Sequence, residues 1–502
     1  MRRVVLLASL AAVSGAFACT GVYVGRRASA TGHAMIARSV DTPPVTRMFR
    51  TVLTPRVENA PGREIKGFHG FRWPLPATTW KYVSTPSTTS GKFGDFPSLG
   101  VNEKGLTVSA MVTGYAHERS RKADPFVKTG LSEDSMAALY AATCVTARDV
   151  VELTAEVMSK AGGREGMIVM AADKAEAWLI ETYSGHEWAA VRLPEDGVAG
   201  FGNEFGIRSF TPGAEGTRAS ENLISHARRQ GFLVTNKDGS FDLAKTYGAP
   251  RCDFAHVRTW FCRRQFLGEK AAGAYDRQSA NPLCSAPDHK ITREEVFELF
   301  RSRGEGTAWC PESTGRQDTR VIGDESQCTT HLVEIREDLA DEAAGVAWIS
   351  LGAAEHSVFL PITAAATSTD AAFARDSRPD AAANAYEPEL AAAAFRRLSA
   401  LAELNRVLYG QGVRDYWRRC EAHLATLDPS ALAGDGAARI QAAAFKDART
   451  LFDQLMWHIA GENSARRYAN NYHTGVLTPF APRRPFAPDL AALELYRFKE
   501  GK

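Results

Sequence analysis

Cys19 stands in a setting that no other cysteine of this sequence shares. Met1-Arg2-Arg3 carries positive charge, Val4 to Val13 is an apolar run, and Ala16-Phe17-Ala18 puts small residues at the two positions a leader peptidase reads. The pattern predicts a secretory leader over residues 1–18, cut between Ala18 and Cys19. Such a cut gives one residue both a thiol and a free α-amine. An α-amine titrates near ~7.7–8.0, so a useful fraction is neutral near neutral pH and can take the thiol proton. Nucleophile and base then come from the same residue. Two other readings of Cys19 stay open. A cysteine after a leader can be a lipid attachment site, which favours Leu three positions before it, and Ala16 and Phe17 fit that pattern poorly. It can also be a buried structural thiol.

Other familiar chemistry is missing from the sequence. It has no Cys-x-x-Cys and no Gly-x-Ser-x-Gly, and His186-Glu187 is followed by Ala190 where a zinc motif needs a second histidine. No strand, glycine-rich loop and helix offer a phosphate cradle, so the expectation is a site without metal, nucleotide or other cofactor. With 60 basic and 58 acidic side chains the net charge is +2, which argues against nucleic acid or an anionic membrane as the main partner. A chain that is 44% hydrophobic and 24% charged is globular, not disordered. The apolar run near the start falls short of the ~20 residues of a membrane helix, so no stable membrane insertion is expected.

The elements that must position Cys19 are legible as blocks. Alternation from Cys19 to Gly25 and again from His33 to Arg38 predicts a hairpin at the start of the mature chain. A strand over Leu106 to Met111 follows the turn Asn102-Glu103-Lys104-Gly105, and two helices follow through Met136 to Tyr140 and Val150 to Val157. Strand-like runs return at Met167 to Ala171, Ala177 to Glu181, Trp188 to Leu193 and Val198 to Phe201. Ser220 is placed to cap a helix through Leu223 and Ala227, and Thr292-Arg293-Glu294-Glu295 reads as a capping box. Strands recur at Leu332 to Ile335, Val346 to Leu351 and Ser357 to Ile362. Blocks of this kind, without regular βαβ alternation, predict an α+β fold of antiparallel sheets covered by helices. Residues 363–385 read as a connector, and 387–407, 413–427 and 437–460 as helices forming an appendage or outer layer. The proline-rich tail should be extended.

These residues carry a resemblance. Cys19-Thr20-Gly21, Met35-Ile36-Ala37-Arg38-Ser39-Val40-Asp41, Val101-Asn102-Glu103-Lys104-Gly105-Leu106, Glu176-Ala177-Trp178-Leu179, Gly200-Phe201-Gly202-Asn203-Glu204-Phe205, Glu305-Gly306-Thr307 and Gly345-Val346-Ala347-Trp348 occur in one order. They resemble the C69 family of dipeptidases (secreted dipeptidase A-like), within the N-terminal-nucleophile hydrolases. The resemblance implies a four-layer αββα sandwich with a C-terminal helical appendage. It divides the chain into a signal peptide at 1–18, a catalytic domain at 19–365, a connector at 366–385, a helical region at 386–470 and an extended tail at 471–502.

The resemblance also implies roles. Cys19 is the nucleophile, with Arg38 favouring its thiolate and Asp41 orienting the amine, where the alternative is a surface ion pair. Asn203 is the oxyanion donor, or else a turn residue beside Gly202. Arg258 resembles a substrate-pocket arginine of related amide hydrolases, and surface exposure is its alternative. Related amidases place a second asparagine after the strand that here ends Met111-Val112-Thr113, and Ala308-Trp309-Cys310 also departs from the family pattern. Asn102 reads as a turn residue. The expected activity is cysteine-type hydrolysis of dipeptides by a periplasmic or secreted protein, with small peptides as partners and a homo-oligomer possible. The alternatives are an N-acyl amide hydrolase of the bile-salt or penicillin type, and a lipid-anchored peptide-binding protein. An internal-cysteine mechanism would instead need His33 or another side chain as base. Cys252–Cys262 and Cys310–Cys328 are the simplest disulfide pairings, and because seven cysteines remain besides Cys19, at least one stays free or pairs between chains.

Overall fold

The computed structural model describes residues 19–42, 48–88, 97–316, 319–378, 385, 387–468 and 482–499. The leader expected over 1–18 and the tail over 471–481 lie outside the described residues. The alternating runs become two antiparallel sheets. The first holds β1 (Thr20–Val24) and β2 (Ala34–Asp41); the second begins with β3 (Val52–Thr54), β4 (Tyr82–Ser84), β5 (Gly100–Asn102) and β6 (Thr107–Thr113). To the second sheet the chain then adds β7 (Met167–Ala172), β8 (Ala177–Thr182), β9 (Trp188–Arg192) and, after β10 (Val198–Phe201), β11 (Thr217–Ala219). Strands β12 (Gln327–Ile335), β13 (Gly345–Leu351) and β14 (Leu360–Ile362) close the first sheet. The spatial orders are β10-β1-β2-β12-β13-β14 and β11-β9-β8-β7-β6-β5-β4-β3.

The sheets face each other where β1 and β2 lie over β6. Helices α1 (Glu133–Thr143) and α2 (Ala147–Lys160) cover the outer face of the second sheet, and α3 (Asp253–Ala272) and α4 (Arg293–Arg301) cover the first. This is the αββα sandwich expected. Its layering follows from the strands' two-residue period: Met167, Val169 and Ala171 of β7 pack toward α1 and α2, whereas Ile168, Met170 and Ala172 pack into the space between the sheets. Both faces are covered, so the central strands are buried along their whole length.

Helices α5 (Ala391–Glu403), α6 (Gln411–Leu424) and α7 (Gly436–Tyr468) extend the outer layer beside β13 and β14. Their Phe395, Trp417 and Leu451 belong to the same hydrophobic core as β1 and β2. Tail residues return to them, with the N–H of Leu495 donating to Asp447 at 2.7 Å. Among the described residues no helix is long and apolar enough to cross a membrane.

Two local expectations are corrected. Ser220 does not cap the following helix (Leu223–Arg229), whose N-cap is Asn222; its hydroxyl is taken up by Glu187 and by the carbonyl of Trp188. All eight cysteines are free thiols. Cys252 is the N-cap of α3 and Cys262 lies inside it, so at ~1.5 Å per residue they stand far beyond the ~4.4–6.8 Å that a disulfide spans. Cys328 is instead bound to Thr42 and Cys310 to Glu312. The capping box at Thr292 forms as expected, with Glu295 closing it.

Candidate active site

Strand pairing brings the predicted residues together. In the β1–β2 hairpin Thr20 is opposite Ser39 and Gly21 opposite Arg38, so Cys19 lies beside the end of β2 that carries Arg38, Ser39 and Asp41. On its other edge β1 runs antiparallel to β10, with Gly21 opposite Phe201. The turn after β10, including Asn203, therefore folds back beside the start of β1. Helix α3 packs across β10 and lowers Arg258 onto the same point. That crossing needs glycines: a Cβ at Gly200 would lie 2.2 Å from Cys262 Cβ, and one at Gly202 2.5 Å from the Ala255 carbonyl oxygen.

Cys19 is fully buried. Arg38 Nη2 donates to its Sγ at 3.1 Å and also pairs with Glu133, the first residue of α1. The remaining guanidinium nitrogens of Arg38, Nε and Nη1, are buried without a hydrogen-bond partner among the described residues. Burial pushes the Cys19 thiol up to about 11; Arg38 works against this, and Glu133 and Asp41 add to it. Arg38 alone therefore does not make a thiolate, and the sulfur needs a proton acceptor.

Asp41 is buried as well and pairs with Arg320 at 2.7 Å, while Ser39 Oγ donates to its Oδ2 at 3.3 Å. Its Oδ1 has no hydrogen-bond partner among the described residues. Burial raises its carboxyl to about 6 against the pull of Arg320 and Arg258. Ser39 links the two ends of the group, because its Oγ accepts the N–H of Thr20 at 3.3 Å.

Arg258 is not on the surface. It is wholly buried, and its Nη1 donates to the carbonyl of Cys19 and to Thr20 Oγ1 at 3.2 Å, its Nη2 to Asn203 Oδ1 at 2.7 Å. A guanidinium only donates, so this contact fixes which way the Asn203 amide points. Asn203 Nδ2 donates to the carbonyl of Thr113 at 3.0 Å. The position where related amidases carry a second asparagine thus contributes backbone to hold the first. Asn102 is a turn residue with both ends of its amide in use: it donates to Ala141 and Cys144 at 2.9 Å and accepts from Lys104 and Leu106.

Asn203 also lines a cleft of about 550 Å³ whose wall includes Tyr115, Arg208, Arg251 and Cys252. Tyr115 lies near enough to Cys19 that the sulfur contributes to the upward shift of its hydroxyl, behind burial. His33 stands at the hairpin end remote from Cys19, next to the Met35–Val24 pair, and faces Asp338 at 3.8 Å. It cannot reach the sulfur as a base. Three residues beyond the sequence reading join the site: Glu133, Arg320 and His331. His331 is opposite Arg38 in β12, contacts Ser109 at 2.5 Å and is driven to about 3 by burial and Arg38, so it is neutral beside the guanidinium. Away from this site, Glu355, His356 and Glu403 bring ligand-type atoms together. Arg303, Arg406 and Arg414 already neutralise Glu355, making that group an ion-pair network.

The family model for peptidase family C69 matches residues 18–415. Probable dipeptidase B of Streptococcus pyogenes serotype M1 is 30% identical over 373 residues, which cover 71% of this chain and 74% of that protein. A probable dipeptidase of Latilactobacillus sakei is 28% identical over 366 residues, 70% of this chain and 75% of that one. Among solved structures, a mutant of the conjugated bile acid hydrolase from Clostridium perfringens aligns with 66% of this chain and 89% of its own, at 12% identity and a TM-score of 0.30.

Proposed function

Because the chain belongs to peptidase family C69, we propose that it is a cysteine dipeptidase whose nucleophile is Cys19, made the first residue by removal of residues 1–18. The observation that carries the reading is the seating of Cys19: its sulfur lies 3.1 Å from Arg38 Nη2, and its carbonyl is held by Arg258, which also holds Asn203. A freed α-amine at Cys19 takes the thiol proton and later gives it to the leaving amine. The buried, unpartnered Oδ1 of Asp41 is the group available to receive the ammonium. Asn203 donates to the oxygen that becomes negative as the sulfur attacks the peptide carbonyl. Arg258 acts through Asn203 and Cys19 as a positioning residue. Water then releases the acyl group. A leader at 1–18 takes the protein out of the cytosol, to the periplasm or beyond.

The test is hydrolysis of a dipeptide by processed Cys19→Ala and Cys19→Ser proteins. Cys19→Ala is inactive while its circular dichroism is retained, and Cys19→Ser keeps at most a trace, since an α-amine activates a hydroxyl poorly. Full turnover by processed Cys19→Ala removes Cys19 from the mechanism.

A further inference from the structure

Two arginines in the wall of the cleft beside Asn203 lack the close carboxylates that Arg301, Arg303 and Arg320 possess. Arg301 meets Glu421 at 2.6 Å, Arg303 meets Glu355 at 2.8 Å and Arg320 meets Asp41 at 2.7 Å. By contrast Arg251 has Glu204 no nearer than 3.6 Å, and Arg208 has Asp242 no nearer than 3.6 Å. Both side chains are only 12% exposed. Each nominal partner spends an oxygen elsewhere, while Glu204 Oε2, the oxygen nearest Arg251 at 3.6 Å, makes no hydrogen bond among the described residues. Glu204 Oε1 is bound by His256 at 2.7 Å and by Thr259 at 2.8 Å, and Asp242 Oδ1 accepts the N–H of Lys245 at 2.9 Å.

Arg251 gives Nη1 to the carbonyls of Ser279 and Arg277, but its Nη2 is buried with no partner among the described residues. Arg208 spends Nη2 on a long 3.4 Å contact with the Phe205 carbonyl. Burial and the neighbouring charge of Arg208 both work against the charge on Arg251. Two partly desolvated guanidiniums side by side are costly unless an anion sits with them, and the planar fork of arginine suits a carboxylate best.

We infer that this cleft takes its substrate by a carboxylate, received by Arg251 and Arg208 while Asn203, on the same wall, addresses the scissile carbonyl. The inference rests on the peptidase reading above and adds to it a requirement for an anionic group. That group has two sources in a dipeptide: the free α-carboxylate of its second residue, or an acidic side chain.

Three probes separate these with protein beginning at Cys19: alanyl-alanine, alanyl-alaninamide, and alanyl-glutamic acid α-amide, whose only carboxylate is on the side chain. The probe whose carboxylate the arginines receive should exceed the alaninamide in kcat/KM by roughly 10–100-fold, the scale of a charged hydrogen-bonding partner, with most of the difference in KM. Recovery with the glutamic acid α-amide assigns the carboxylate to a side chain; no recovery assigns it to the terminus. Arg251→Gln and Arg208→Gln should each bring the ratio of carboxylate probe to alaninamide close to one, and Arg251→Lys should hold it between. The alaninamide measured on the same preparations reports folding within each variant, and Arg208→Gln stands if Arg251→Gln fails to fold. Equal kcat/KM for all three probes in the parent protein, or an unaltered ratio in the variants, overturns the inference and leaves the peptidase reading intact. No hydrolysis of any probe by folded protein beginning at Cys19 overturns both.

Discussion

At the scale of single residues, the site is a balance in which burial opposes ionisation of Cys19 and Arg38 only partly offsets it. Asn203 has the more directed task, because the guanidinium of Arg258 and the carbonyl of Thr113 fix its amide from both ends. Asn203→Ala should lower kcat by roughly 10²–10³-fold with a smaller change in KM, the cost of one oxyanion donor. Loss confined to KM would count against that role. Asp41 sets a pH limb. Its carboxyl is raised to about 6 in this chain, and an ammonium set free at Cys19 can only lower it, by favouring the ionised form. Below the limb on which the α-amine of Cys19 is protonated, activity should therefore fall a second time as pH drops through a value no higher than about 6, where the carboxylate gains its proton and ceases to hold the amine. A pH–rate profile of kcat/KM checks this, and Asp41→Asn should erase that limb along with most of the rate. The lower limb retained in Asp41→Asn would assign it to another group.

Elements decide which of these residues meet. The β1–β2 hairpin was readable because Cys19 to Gly25 and His33 to Arg38 alternate cleanly. The turn carrying Asn203 was readable through the order of motifs that it shares with a family. Glu133 and Arg320 were not legible. Glu133 looks like an ordinary acidic residue in a helix's first turn, which favours negative charge there anyway. Only the packing of α1 over β5 and β6 brings it to Arg38. The Ser220 cap failed for a related reason, since Glu187 and the Trp188 carbonyl, close only in the folded sheet, compete for its hydroxyl. Removing the α1 carboxylate with Glu133→Gln leaves Arg38 buried and uncompensated, so the chain should lose about 3–5 kcal/mol of stability. The same change removes a charge that raises the Cys19 thiol. Alkylation of Cys19 against pH in this variant should shift to lower pH relative to the parent. An unshifted alkylation curve would show that Glu133 does not act on the sulfur.

At the scale of the whole molecule, the sequence leaves the C-terminal helices as an appendage or an outer layer, and packing joins them to the sandwich. Glu421 of α6 holds Arg301 of α4 at 2.6 Å and accepts the N–H of Phe359 at 2.9 Å, while Trp417 Nε1 donates to the carbonyl of His356 at 3.0 Å. Such contacts are built from side chains far apart in sequence, so helical periodicity reveals the helices and not where they dock. A chain ended before residue 386 would strip Arg301 of Glu421, leaving it Glu298 at 2.9 Å, and would bare the core surface that Phe395, Trp417 and Leu451 cover. The full chain should melt in one transition, and the shortened chain should not accumulate as a folded protein. Two separate melting transitions, with the sandwich surviving alone, would make the helices an independent unit.

The central claim is that Cys19 works because it begins the mature chain, and one comparison tests it most directly. Protein beginning at Cys19 and protein carrying a single alanine before it, each verified by intact mass, N-terminal sequencing and circular dichroism, are assayed side by side on the same dipeptide. The account predicts activity only in the first, since an amide nitrogen cannot accept the thiol proton as an amine does. Equal activity in both would contradict it and return the chain to an ordinary internal-cysteine mechanism.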